Sequence, residues 1–233
     1  MCLRDEDRVL IETAIDMAPA GIGILAHRTG IFEVINHLAG YENYSYLLMD
    51  DPPLIDEIAA RIGQINLRVL EDAAEYDRID ILHMGDDIAC RHGLLVSPDL
   101  LRRWLFPWMK RYAEVAHRHG KVFTYHSDGD FSEAAEDIIA AGVDGKQAFE
   151  DLSYPATAFK KQYGDRIAVL GGIDMDKLVR LSESELRQYV RQVLAVCTPG
   201  GGYAIGSGNC FAPYVPDSQY MAMLDEATKW PCS

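Results

Sequence analysis

The stretch Lys121–Asp130, KVFTYHSDGD, is an apolar run that stops abruptly on small and charged residues. Val122, Phe123 and Tyr125 are β-branched or aromatic, which is typical of a buried strand. His126 then stands where this strand is expected to leave its sheet and feed a helix. Because α/β folds carry their chemistry at that edge, His126 is a candidate catalytic residue. The simpler alternative is a hydrogen-bonded core histidine followed by aspartates that only serve a turn.

Strand and helix alternate along the chain around this stretch. The next helix is predicted to begin with a capping box of Asp130 and Glu133 and to end at Gly142. Other short apolar runs predict strands at Gly21–Ala26, Arg78–Met84, Val143–Phe149, Arg166–Leu170 and Tyr203–Asn209. About six strand–helix repeats without a hairpin signal predict a parallel sheet, either a barrel or an open doubly wound sheet.

Local signals also mark several helix boundaries. Asp51 followed by Pro52 predicts the capped start of a long helix. Pro107 is expected to kink or split the helix in which it lies. Ser182 and Glu185 have the spacing of a second capping box.

Polar residues follow every predicted strand, and this distribution separates the two parallel architectures. A doubly wound sheet concentrates its polar site at one switch point, and no GxGxxG or Walker loop follows any strand here. We therefore expect an α/β barrel of the TIM type. The polar residues at strand ends are His27, Arg28, Asp86, Asp87, His126, Asp128, Gln147, Glu150, Asp174, Ser207 and Asn209.

Length and charge narrow the functional class. The 233 residues fit a single domain, residues 1–233, and a 48% hydrophobic content is enough for a core. A net charge of −14 argues against a nucleic-acid or anionic-membrane partner. With no signal peptide, no membrane-length apolar run and five scattered cysteines, we expect a cytoplasmic protein with reduced thiols.

Three segments resemble one known superfamily: His83–Asp130, Gly171–Leu178 and Gly206–Leu224. They are similar to the uroporphyrinogen decarboxylase superfamily, which also contains cobalamin-dependent methyltransferases, and the likeness runs from about Gly21 to the C-terminus. The resemblance implies a TIM-type (β/α)8 barrel with its active site at the C-terminal mouth.

The chain departs from the site patterns of both well-known branches. It lacks the Gly-His-Gly pattern of the decarboxylases, since Gly206–Asn209 stands at that place. The zinc methyltransferases carry His-x-Cys and a later cysteine. Here the first motif is His126-Ser127-Asp128, and Asn209 takes the later cysteine position, with Cys210 one residue beyond. The sequence looks closest to the methyltransferase-like members that carry HSDG.

The leading hypothesis is therefore methyl transfer from a small O- or N-methyl substrate to a corrinoid carried by a partner protein. We expect His126, Asp86 and Asp87 to be catalytic, acting as acid and base or through zinc held by His126, Asp87 and Glu150. The alternatives are a decarboxylase of a uroporphyrinogen-like or smaller acid, and a truncated non-catalytic barrel. The side chains expected to bind substrate are His27, Arg28, Asp128, Gln147, Asp174 and Asn209.

The family barrel has eight βα units, and only about six are visible here, because the two N-terminal ones are absent. The strand at Gly21–Ala26 and the strand at Tyr203–Asn209 would then be unprotected edges. We expect the chain to bury those edges in a homo-oligomer, or to be poorly soluble and inactive alone.

Overall fold

The computed structural model describes residues 5–231 and divides them into two compact units. The first unit contains the residues up to Ile88 together with Val96–His126 and Ala134–Asp144. The second unit contains Ala89–Leu95, Ser127–Glu133 and the residues from Gly145 onward.

Strands and helices alternate through both units. The strands are β1 (Ile24–Thr29), β2 (Ile79–Gly85), β3 (Ala89–Cys90), β4 (Gly93–Leu94), β5 (Val122–His126), β6 (Gly145–Gln147), β7 (Ala168–Leu170) and β8 (Tyr203–Ala204). The α-helices are α1 (Asp5–Met17), α2 (Ile31–Ala39), α3 (Tyr41–Asp50), α4 (Pro52–Ala74), α5 (Pro98–Trp104), α6 (Phe106–Arg118), α7 (Ala135–Ala140), α8 (Ala156–Tyr163), α9 (Met175–Arg180), α10 (Glu183–Cys197) and α11 (Asp217–Lys229). Among the described residues, no helix is both long and apolar enough to cross a membrane.

The first unit is built on parallel strands in the order β1, β2, β5. Their register places His27 opposite His83, and Gly85 opposite His126. Buried apolar residues from the strands and helices of this unit, such as Leu82 and Phe123, form its core. The strand ends that carry the polar residues are thus fixed by a regular hydrogen-bonded ladder.

The second unit holds parallel strands in the order β6, β7, β8. Its core joins α10 and α11 through residues that include Leu186, Val190 and Met223. It also contains the short antiparallel pair β3 and β4, which the sequence did not predict. This pair is only two residues long on each side, too short to show a strand pattern.

Most of the local predictions are confirmed. Every pairing of the longer strands within each unit is parallel, as the α/β class requires. The predicted long helix breaks before Pro107 into α5 and α6, and the Asp51 side chain caps α4 by accepting from the Leu54 N–H. The capping box of Ser182 and Glu185 is also present.

The predicted start of the first strand is wrong. Gly21 adopts a positive φ of 85°, and the chain enters β1 only at Ile24, whose N–H donates to the Asp80 carboxylate at 2.8 Å. β1 therefore begins at Ile24, three residues after the predicted start at Gly21, and ends at Thr29.

The last strand is shorter than predicted. Regular pairing ends at Ala204, because the neighbouring Gly171 and Gly172 have positive φ angles that interrupt the β7 ladder. Beyond that point Ser207 makes only an isolated parallel bridge to Ile173.

The capping box predicted at Asp130 and Glu133 is also wrong. The Asp130 N–H donates to the Cys90 carbonyl at 2.9 Å, which holds Asp130 in the loop. Its carboxylate accepts from the N–H of Ser132, two residues on, in the manner of an Asx turn. The helix consequently begins later, at Ala135.

The first prediction tests the contact between α4 and α6 at Gly63. A Cβ added there would lie 2.3 Å from ring atoms of Trp108, so Gly63→Ala must overpack this contact. Alanine favours a helix over glycine by about 1 kcal/mol, while overpacking costs about 1–3 kcal/mol. We expect the free energy of unfolding measured in urea to fall by about 1–2 kcal/mol.

Trp108→Leu provides the matched background for this test. In that background Gly63→Ala should leave the free energy of unfolding unchanged or raise it, because the Trp108 ring that the added Cβ would meet is gone. An equal loss of stability in both backgrounds would contradict the assigned contact.

Candidate functional site

Three imidazole rings lie in a row across the first unit, one on each strand. The His27 and His83 ring centroids are 5.4 Å apart, and those of His83 and His126 are 6.4 Å apart. The row follows from the register, because residues on adjacent strands that point to one face become neighbours. His27 is exposed, His126 is half-buried and His83 is buried, with its Nδ1 2.7 Å from the Thr124 hydroxyl.

His126 lies next to a carboxylate group. Its Nε2 atom lies 3.5 Å from an Asp87 carboxylate oxygen. The contact is set by the main chain, because the Asp86 N–H donates to the His126 carbonyl at 3.0 Å and extends the pairing of β2 and β5. A carboxylate in this position can orient the imidazole and stabilise its protonated form, or share a metal ion with it.

His27 has a different electrostatic environment. Although His27 is exposed, neighbouring atoms remove part of the water around its ring, and this desolvation lowers its pKa; positive charge on His126 and Arg28 lowers the pKa further. A lowered pKa favours the neutral imidazole, which can accept a proton or a hydrogen bond from a ligand.

Arg28 points to the opposite face of β1. Its Nε donates to the Asn66 side chain of α4 at 3.0 Å, and Asn66 in turn donates to the Thr29 carbonyl at 2.9 Å. The guanidinium therefore ties β1 to α4. A role for Arg28 in substrate binding stays a prediction.

Asp86 is bound to the start of α2. Its carboxylate oxygens accept from the N–H groups of Phe32 and Glu33 at 3.1 Å and 2.7 Å, and the residue is 0% exposed. Anions at a helix N-terminus satisfy unpaired N–H groups and interact favourably with the helix dipole. A catalytic role for Asp86 stays a prediction, while Asp87 is the neighbouring carboxylate that reaches His126.

The second unit contains a cavity of about 690 Å³ whose walls carry two of the predicted substrate-binding residues, Asp128 and Asp174, and the predicted metal ligand Glu150. Asp128 accepts from the Asn209 side-chain amide at 2.5 Å, and Glu150 accepts from the Ser153 hydroxyl at 2.9 Å. Both apolar and polar residues line the cavity. The lining residues are Ala89, Cys90, Arg91, Asp128, Gly129, Glu150, Leu152, Ser153, Asp174, Met175, Asp176, Val179, Arg180 and Tyr214.

The second unit also contains Asp174 and Gln147, two residues predicted to bind substrate. Asp174 is the N-cap of α9: one carboxylate oxygen accepts from Asp176 and Lys177, and the other accepts from the Asp151 N–H. Gln147 is the last residue of β6 and is half-buried. Their roles in substrate binding, and that of Glu150 as a metal ligand, stay predictions.

Sequence reasoning missed several residues of these sites. His83 lies two residues before Gly85 on β2, and Gly85 is opposite His126. Because alternate residues of a strand point to the same face, strand alternation was the sequence signal that could have placed His83 beside His126. Arg91 and Arg180 line the cavity although neither follows a β-strand of the predicted parallel series. No sequence signal placed them there, because Arg91 lies in the β3–β4 hairpin and Arg180 at the end of α9.

Comparison with known proteins identifies related sequences. The family model described as uroporphyrinogen decarboxylase (URO-D) matches residues 10–230. A uroporphyrinogen decarboxylase from Alkalilimnicola ehrlichii is 26% identical over 192 residues, which cover 79% of this chain. The chain spans 49% of the length of that curated relative.

Solved structures share the fold at lower sequence identity. A methyltransferase from Methanosarcina mazei has a TM-score of 0.77 at 18% identity, with 97% of this chain and 65% of the other chain covered. A protein from Listeria monocytogenes, described as a vitamin-B12 independent methionine synthase, has a TM-score of 0.56 at 12% identity, covering 95% and 70%. At these identities the similarity concerns the fold alone.

The second prediction concerns the buried carboxyl group of Asp86. Burial raises its pKa to about 7; the N–H groups of Glu33 and Phe32 oppose the rise, and the Glu33 and Asp87 carboxylates add to it. Between the ordinary pKa of an aspartate, about 4, and pH 7, the unfolded chain loses a proton that the folded chain keeps. The contribution of Asp86 to the free energy of unfolding therefore falls as the pH rises through this range.

Asp86→Asn removes this titration and leaves one acceptor oxygen for two N–H donors. We expect the variant to have a lower free energy of unfolding than the wild type at pH 4. This difference in the free energy of unfolding should shrink by about 1–3 kcal/mol by pH 7.5, because only the wild type loses the contribution of Asp86. Urea unfolding at several pH values measures this difference. Asp77→Asn, at an exposed aspartate, is the control. A difference that does not change with pH would contradict the prediction.

Proposed function

Because the chain belongs to the uroporphyrinogen decarboxylase family, we propose that it is an enzyme of that family's methyltransferase-like branch. Its substrate would be a small compound with an O- or N-methyl group, and the methyl acceptor a corrinoid held by a partner protein. The proposed architecture is the TIM-type barrel of the family, as one cytoplasmic domain. The chain's similarity in fold to a methyltransferase from Methanosarcina mazei is compatible with this assignment.

The observation that carries this proposal is the contact between His126 and Asp87 at the carboxyl end of β5. When a methyl group moves to a nucleophilic acceptor, the C–O or C–N bond breaks and its electron pair stays on the heteroatom. That atom needs a proton as it leaves, and a protonated His126 can supply it from Nε2. Asp87 stabilises the protonated ring before the transfer and keeps it oriented.

The same pair fits a zinc ion. Two ligands on a tetrahedral zinc, at bond lengths of about 2.0–2.2 Å, are separated by about 3.3–3.5 Å. The 3.5 Å between His126 Nε2 and the Asp87 oxygen matches that separation. Zinc bound there would polarise the leaving heteroatom as a Lewis acid. His126 and Asp87 would then bind and orient the ion.

The cavity of the second unit supports a small substrate with an apolar body. Its volume of about 690 Å³ lies in the range of small-molecule sites, and Leu152, Met175 and Val179 give it apolar surface. Asp128, which lines it, stands two residues after His126 in the chain. The Asn209 side-chain amide donates a hydrogen bond to the Asp128 carboxylate at 2.5 Å. We propose that these two side chains orient the polar end of the substrate.

Decarboxylation is a second candidate, favoured by two observations. The chain is 26% identical to a uroporphyrinogen decarboxylase, and Arg91 and Arg180 line the cavity. Guanidinium groups are suited to holding the carboxylates of an acidic substrate. The reaction would release carbon dioxide and place a proton on the remaining carbon, and a protonated His126 is a candidate donor of that proton.

The third prediction tests methyl transfer together with metal binding. We expect purified protein to contain zinc near one ion per chain, and His126→Ala to lose most of it because a ligand is gone. Methyl transfer from methoxylated aromatic and methylated amine donors to reduced cobalamin should fall at least about 100-fold in the same variant. In Asp87→Asn the rate of methyl transfer should fall by about 10-fold or more, because the carboxylate that orients His126 is replaced.

His37→Ala removes an exposed imidazole from the same unit and is the matched control for both measurements. Equal metal in wild type and His126→Ala, with activity still lost, would leave His126 as an acid–base residue. Carbon dioxide release from carboxylic acids, without methyl transfer, would replace the proposal with the decarboxylase. Full methyl transfer by His126→Ala would refute the assigned site.

A further inference from the structure

A lysine side chain on β6 is buried in the second unit. Lys146 is 0% exposed, although lysine is among the residues least often fully buried in proteins. Its Nζ donates to the main-chain carbonyls of Ser127 at 2.9 Å and Ala148 at 3.1 Å, and also to the carbonyl of Gln147. A side chain that reaches three carbonyls from two different segments holds those segments together.

The geometry determines the charge of this group. Carbonyl oxygens only accept hydrogen bonds, so three of them require three N–H donors, and only the ammonium form supplies three. The ammonium also lies over the faces of two aromatic rings, 3.9 Å from the centroid of Phe131 and 5.1 Å from that of Phe149. Carbonyl dipoles and ring faces both stabilise a cation away from water.

The two segments that Lys146 joins lead directly into the cavity. Ser127 precedes Asp128, and the turn at Gln147 and Ala148 precedes Glu150; Asp128 and Glu150 both line the cavity. Ala148 has a φ of +75°, which is unfavourable for a residue with a Cβ. The hydrogen bond from Lys146 to the Ala148 carbonyl is one interaction that stabilises this strained turn.

We propose that Lys146 is a positioning residue for the cavity of the second unit. Its ammonium fixes the Ser127 carbonyl against the turn at Ala148, and so fixes the carboxylates of Asp128 and Glu150 relative to each other. The ammonium acts through these two carboxylates on a ligand with an apolar body and a polar end. The kinetic part of the test rests on the proposed function, whereas the spectroscopic part does not.

Lys146→Met keeps an unbranched buried side chain and removes the charge and its donors. Replacing a buried charged group with an apolar one of similar size is often tolerated, so we expect this variant to fold. In two-dimensional amide spectra of the free protein, the signals of Asp128, Gly129 and Glu150 should move, because their segments have lost a common anchor. Lys161→Met, at an exposed lysine of α8, is the matched control and should leave those signals in place.

Kinetics provide the second readout. In Lys146→Met we expect KM for the methyl donor to rise at least tenfold with a smaller change in kcat, because Lys146 positions the residues proposed to bind the donor and not the pair proposed to react with it. A lysine that only contributes stability would lower the midpoint of thermal unfolding and leave KM unchanged at temperatures where the protein is folded. Lys146→Arg keeps a charged donor and should recover part of the lost affinity.

Phe131→Leu is the milder second variant, to be used if Lys146→Met does not fold. It keeps the lysine and removes the nearer ring, so the same amide signals should move by a smaller amount and KM should rise severalfold. Unmoved signals and an unchanged KM in the folded variants would overturn the inference. Moved signals in a protein without methyl-transfer activity would support the role of Lys146 and refute only the proposed function.

Discussion

The hydrogen bond from the Asp86 N–H to the His126 carbonyl, 3.0 Å long, determines how the first unit presents its polar residues. It extends the pairing of β2 and β5 by one residue beyond the regular ladder. Successive side chains of an extended segment point to opposite faces. Asp86 therefore turns toward the start of α2, and Asp87 turns toward His126. Two adjacent carboxylates thus have two different environments because one main-chain contact fixes where the strand ends.

Both units stabilise the loops after their strands with a fully buried ionisable side chain. In the first unit the Asp86 carboxylate accepts from main-chain N–H groups, and in the second the Lys146 ammonium donates to main-chain carbonyls. Loops carry unpaired main-chain groups, and leaving such a group buried without a partner costs about 1–3 kcal/mol. A buried carboxyl or ammonium group satisfies several of them at once. The cost of burying each of these polar groups is offset only while these contacts are maintained, so the positions of the loops are tightly specified.

The sequence predicts best those features that depend on a few neighbouring residues. The cap at Asp51, the break before Pro107 and the capping box at Ser182 all follow from local main-chain chemistry, and all are present. The box predicted at Asp130 failed because a distant carbonyl, that of Cys90, competes for the same residue. Lys146 lies within the predicted strand Val143–Phe149, and no local signal marks it, because its partner Ser127 lies 19 residues away in the chain. Contacts of this kind become visible only when the fold brings the segments together.

The charges around the cavity discriminate between the two proposed reactions. Four carboxyl groups, those of Asp128, Glu150, Asp174 and Asp176, line it beside the two guanidinium groups of Arg91 and Arg180. Arg180 is already paired with Asp176, at 2.5 Å between Nε and the carboxylate oxygen. A substrate with several carboxylates would meet more negative than positive groups there, and like charges in a cleft oppose binding. A neutral or cationic methyl donor meets no such repulsion, and its apolar body can pack against Leu152 and Met175. The electrostatics of the cavity therefore favour methyl transfer over decarboxylation of a polycarboxylate.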